Sequence, residues 1–210
     1  MNFKLFNVLI LSLMSLVLGC DSQPEVGSAE AYLLSLAGHF VKDGEKQFYK
    51  ELSPKTHELM NQLYQNVHDI PQVVKEFPVE TSSWAEKQAG LSPEILATKN
   101  ARELFFYMIK ADWDKIKSLP RKQLEESLKT SRVTLESTDD KQRREVTLLM
   151  RSSETLAVRQ YKVGWKLTSF EDSISKLLTV ARENKKKMEM NLKEVIHRKR
   201  LKLTLPSLPK

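Results

Sequence analysis

Cysteine, glycine and histidine are all scarce in this 210-residue chain, and each scarcity removes a class of chemistry. A single cysteine, Cys20, cannot close a disulfide within the chain, and without a second thiolate a cysteine-based zinc site is excluded. Six glycines leave little material for phosphate-cradling loops. No G-x-S-x-G, H-E-x-x-H or P-loop pattern occurs. The four histidines, His39, His57, His68 and His197, do not pair at metal-ligand spacing on one helical face. No metal or cofactor is therefore expected. Long apolar runs are missing as well. The run at residues 8–18 is broken by Ser12 and Ser15 and falls short of the roughly 20 apolar residues that span a bilayer.

That short run has a definite context. Lys4 precedes it and Gly19-Cys20 follow it, which is the layout of a secretory signal: a positive start, a short apolar core and a small residue at the end. The tetrad Val17-Leu18-Gly19-Cys20 resembles the lipobox of bacterial lipoproteins, with Leu18 where Ala, Ser or Thr is more usual. The resemblance implies cleavage between Gly19 and Cys20, with two or three acyl chains on Cys20. It also accounts for a lone thiol in an exported chain. One myristoyl-sized chain binds a membrane only marginally, at about 0.8 kcal/mol per buried methylene, so more than one makes the anchor stable. Asp21 resembles the inner-membrane retention signal of enteric-type bacteria. The expected location is therefore a cell membrane, lipid-anchored on its periplasmic or outer face, with inner favoured over outer membrane.

The remaining 190 residues suit one domain with enough chain to bury a core. Composition is that of a globular protein, at 40% hydrophobic and 29% charged residues. The net charge of +7 is carried entirely by residues 182–210, and the rest of the chain is neutral. A basic pI thus points to a basic tail and not to a nucleic-acid-binding domain. Four regions are expected: a signal peptide at 1–19, the lipidated cysteine and tether at 20–28, a single α+β domain at 29–181, and a basic helical extension and tail at 182–210. The eight residues 21–28 reach at most about 28 Å, so the domain should work close to the bilayer.

Apolar spacing predicts helices over residues 29–41 and 45–52. Ser53-Pro54 is a start signal for a third, running to about Asp69, where Pro71 should end or kink it. Residues 78–91 read as a loop. Ser92-Pro93 opens a helical run to Trp113, rich in apolar side chains, and Pro120 opens a short helix with Leu124 and Leu128 facing inward. The period then falls from about 3.6 to 2, with short runs near 132–136, 145–150, 155–161 and 165–170. A final helix spans about 171–198, with Ser169 and Asp172 placed to cap it. Helices followed by strands argue for an α+β fold: N-terminal helices, a four-stranded antiparallel meander and a long C-terminal helix.

Helices followed by hairpins that end in Gly164-Trp165-Lys166-Leu167 resemble the nuclear-transport-factor-like cone fold over residues 101–170. The chain departs from that pattern in its longer helical front half and its last helix. The resemblance implies two further uses. One is acid–base catalysis around Asp112 or Asp114 with a tyrosine such as Tyr107; the other is a hydrophobic-ligand or lipid carrier. The residues themselves favour a non-enzymatic binding or interaction domain, because no catalytic constellation is visible. The aromatics Phe105, Phe106, Tyr107 and Trp113 read as core. In the extension, Lys185, Lys186, Lys187, Arg198, Lys199 and Arg200 are candidate contacts for anionic lipid or an acidic protein partner.

Overall fold

A computed structural model describes residues 27–29, 31–32, 35–36, 44–118, 132–138, 144–149 and 155–204. In chain order its elements are α1 (Gly44–Glu51), α2 (Pro54–Lys75), α3 (Val79–Ala89), α4 (Pro93–Leu96), α5 (Ala101–Met108), α6 (Lys110–Ser118), β1 (Arg132–Thr138), β2 (Arg144–Leu149), β3 (Thr155–Tyr161), β4 (Gly164–Leu167) and α7 (Glu171–Thr204). The α+β class and the order of helices, antiparallel sheet and long final helix follow the sequence reading.

Two long helices organise the rest. Helix α2 buries Thr56, Met60, Leu63, Val67, Ile70 and Val74, at alternating steps of 4 and 3. Helix α7 buries Ile174, Leu178, Ala181, Met188 and Leu192 in the same rhythm, with Lys185 at the missing step. Such stripes average 3.5 residues per turn, so two of them stay in contact along a shallow crossing. Bonds from Ser53 to Glu171, Gln62 to Arg182 and Asp69 to Lys185 advance together along both helices, which therefore run parallel.

The sheet is joined to the start of this seam. Antiparallel ladders link β1 to β2, β2 to β3 and β3 to β4. Val146 and Val158 face each other across β2 and β3, and both are fully buried. The Ser53 N–H donates to the Leu167 carbonyl at 2.8 Å, so β4 meets the corner between α1 and α2. Gly164 holds the β3–β4 turn at φ 107°, a conformation that favours glycine. Around Phe48 the aromatic core closes: Phe105, Phe106, Trp113 and Phe170 stand 5.2–6.4 Å from it between ring centroids.

Several local expectations need correction. Helix α2 does not end at Pro71 but runs on to Lys75. The proline lacks one N–H donor, yet Ile70 and Val74 stay buried on either side and hold the helix in the seam. Residues 78–91 are not a loop, since they contain α3. That helix buries only Ala85, so no apolar period marked it, and Gly90 ends it at φ 60°. The run from Ser92 to Trp113 is three helices instead of one. Asn100 restarts the chain by accepting from the Glu103 N–H at 3.0 Å, while Glu103 reaches back to the Lys99 N–H at 2.8 Å. Ser169 is tied to a strand: its hydroxyl accepts from the Ala157 N–H at 2.8 Å and donates to the Ala157 carbonyl. The helix expected after Pro120, with Leu124 and Leu128, lies outside the described residues.

Candidate functional site

Gly19, Cys20 and Asp21 lie outside the described residues, but the point where the chain joins the body is well defined. The Trp165 indole N–H donates to the Gly27 carbonyl at 2.9 Å. Ser28 then accepts from the Ala31 N–H at 3.1 Å, in the manner of a helix cap. One turn on, the Tyr32 hydroxyl donates to the Glu51 carbonyl and carboxylate at 3.3 and 3.2 Å. Lys166 holds the same carboxylate at 3.0 Å. Burial, and then the Glu51 charge, push the Tyr32 phenol far above its ordinary range, so it stays a neutral donor. Gly27 and Tyr32 are thus fastened against β4 and α1, which the sequence did not signal. Of the residues 21–28 expected as a tether, Gly27 is held against β4.

At the other end of α7 the six candidate basic residues have different surroundings. Lys185 pairs with Asp69 at 2.6 Å, Lys199 with Glu80 at 3.7 Å, and Arg198 with Glu194 one turn before it. Lys186, Lys187 and Arg200 are exposed. Packing continues past Arg182: Met188 and Leu192 are buried against Ile70, Val74, Phe77 and Ala85, with Val195 and Ile196 beside them. Lys185 and Lys199 therefore spend charge within the fold. Arg182 and Lys193, outside that set of six, are exposed on the same helix. Lys193 stands seven residues from both Lys186 and Arg200, and Arg182 four before Lys186, spacings that bring the four to one side of a helix.

The two carboxylates of the acid–base reading separate on α6. Asp112 is buried and Asp114 exposed, as positions two apart on a helix must be when one face is covered. Asp112 is thus shielded from solvent beside Trp113. The Tyr107 hydroxyl stands 3.2 Å from that of Ser92. Phe105, Phe106 and Trp113 are core. His57 lies edge-on to Tyr49, with centroids 4.6 Å apart, and burial followed by the Lys166 charge lowers its pKa. His68 meets Thr98 at 3.2 Å, and His197 is exposed. Among the described residues no group of three metal-ligating side chains comes together, and no helix is long and apolar enough to cross a membrane. Comparison with protein-family models, with curated proteins and with solved structures gave no match.

Proposed function

We propose that this chain is a lipid-anchored protein of the bacterial envelope whose α+β domain acts by binding, without catalysis of its own. The observation that carries the reading is the position of the sole cysteine: Cys20 closes an apolar signal-like segment at the place where a lipobox requires it. The fastening of Gly27 by Trp165 supports it, because a domain gripped at its first residues is well suited to hang from a short tether. Asp21 favours the inner membrane over the outer. The finer architecture belongs to the same proposal: a four-stranded meander laid over the helices, related to cone folds. Its support is the antiparallel pairing of strands in chain order.

The test compares the full chain with its Cys20→Ala variant by intact mass and membrane partitioning. Acyl chains on the first and none on the second, with release of the variant from the membrane, are expected. Two unmodified, soluble chains would reject the anchor. Replacing Asp21 by Ser should move the protein between membrane fractions, and an unchanged distribution would reject the sorting role.

A further inference from the structure

Four basic residues of α7 fall on one line. Arg182, Lys186, Lys193 and Arg200 are 4, 7 and 7 residues apart, which keeps them within about 40° of one another around the helix. All four are exposed. Arg182 rests on α2 through the side chain of Gln62, a neutral partner that leaves the guanidinium charge in place. Glu183 and Glu194 sit about 60° or more away around the helix. Half-buried Glu189 borders the line, and Glu58, which bonds Gln62, lies near its Arg182 end. The line spans 18 residues, or about 27 Å.

Gly27 is fastened to Trp165 in β4, and β4 leads directly into the first turn of α7. Measured from Glu171, Arg182 lies about 16 Å along the helix axis and Arg200 about 44 Å. Only residues 21–26 separate Cys20 from Gly27, and six residues reach at most about 21 Å. If α7 stood upright from the anchor, Arg200 would sit several screening lengths of about 8 Å from the bilayer. Laid along the surface, all four charges meet it together.

We infer that α7 lies along the bilayer that carries the Cys20 lipid, with Arg182, Lys186, Lys193 and Arg200 against anionic headgroups. This inference rests on the lipid-anchor reading. Each Lys or Arg close to such a surface favours contact about fivefold, so four favour the lying posture by several hundredfold. The anchor makes that contact intramolecular, and no further affinity is needed. The stripe sets an orientation, which decides what face the domain offers to its surroundings.

The full lipidated chain carrying His197→Cys is reconstituted into bilayers of phosphatidylcholine alone or mixed with phosphatidylglycerol. With Cys20 acylated, the new thiol is labelled uniquely, and quenching of its fluorophore by headgroup-borne nitroxides reports the posture. Strong quenching is expected in the anionic bilayer only. It should disappear at high salt and in the combined variant R182Q, K186Q, K193Q, R200Q, checked for folding by circular dichroism. The variant K176Q, K187Q, which removes charge away from the line, should keep most of it. Equal quenching in both bilayers, or quenching that survives the four replacements, overturns the inference and leaves the stripe to an acidic protein partner. A chain that gains acyl mass yet is never quenched loses the posture and keeps the anchor. A chain without acyl mass loses the anchor; stripe-dependent binding of its Cys20→Ala form to the same vesicles then decides the surface.

Discussion

The two ends of the seam between α2 and α7 are built from different material. At its start, Phe48, Phe105, Phe106, Trp113 and Phe170 pack with Val146, Val158, Trp165 and Leu167, so helices and sheet share one core. Further along, Ile70, Val74, Phe77, Ala85, Met188 and Leu192 form a smaller cluster from α2, α3 and α7 with the segment beside them. The first end is also where the N-terminal segment is fastened; the second carries the chain's net positive charge. A core fed by many elements opens only when the whole fold opens, whereas a joint of three helices can open alone. The comparison therefore separates a rigid attachment end from an end whose surface can answer to what it touches.

The largest expected effect breaks the first end. Phe105 is fully buried between Phe48, Phe106 and Phe170. Phe105→Ala should cost about 3–5 kcal/mol, read as a lower denaturant midpoint for every probe at once. Next comes Met188→Ala in the smaller cluster, at about 2–3 kcal/mol. Here hydrogen exchange should show faster opening of α3 and of the second half of α7 while β2, β3 and α5 keep their protection. Equal acceleration in both regions would show that the two clusters open as one.

Much of this contrast was legible in the sequence, for an identifiable reason. The stripe from Ile174 through Leu192 and the run around Phe105 repeat at helical spacing, and the change to alternation after Val133 marks the sheet. What escaped depended on contacts distant in sequence or on helices with little to bury. Helix α3 shows only Ala85 to the core, so its period was invisible. Pro71 was read by its local rule, and the burial of Ile70 and Val74 overrode it. The Trp165 bond to Gly27 joins residues 138 positions apart, and no spacing predicts such a bond. Arg182 and Lys193 join a surface only when their spacing to Lys186 and Arg200 is followed around the helix. The lipid-anchor residues are a different case, since sequence alone speaks for them.

A smaller effect is expected at the corner where the N-terminal helices, the sheet and α7 meet. Ser53 caps α2, and its hydroxyl also donates to the buried Glu171 carboxylate at 2.5 Å, while Lys55 holds the other oxygen at 3.2 Å. Ser53→Ala removes the cap and one donor, for about 1–2 kcal/mol. Ser53→Thr keeps the hydroxyl and should recover most of it in the same denaturant series. If Ala and Thr lose equal stability, packing at this corner matters more than its bonds.

The smallest effect tests the attachment end through pH. His57 sits against Tyr49 near Lys166, and burial, followed by that lysine's charge, holds its pKa below the ordinary 6.5. The folded chain then binds this proton less readily than the unfolded chain does. Its contribution to stability is complete above about pH 6.5 and is lost as pH falls through the folded pKa. Carboxylates titrate nearby, so the useful quantity is a difference between two proteins. Denaturant midpoints of wild type and His57→Gln, followed from about pH 7.5 to about 5.5, should converge on acidification because only wild type loses this share. If the gap stays constant, His57 is solvated well enough to take its proton in the folded state, and the attachment end is looser at α2 than its buried neighbours imply.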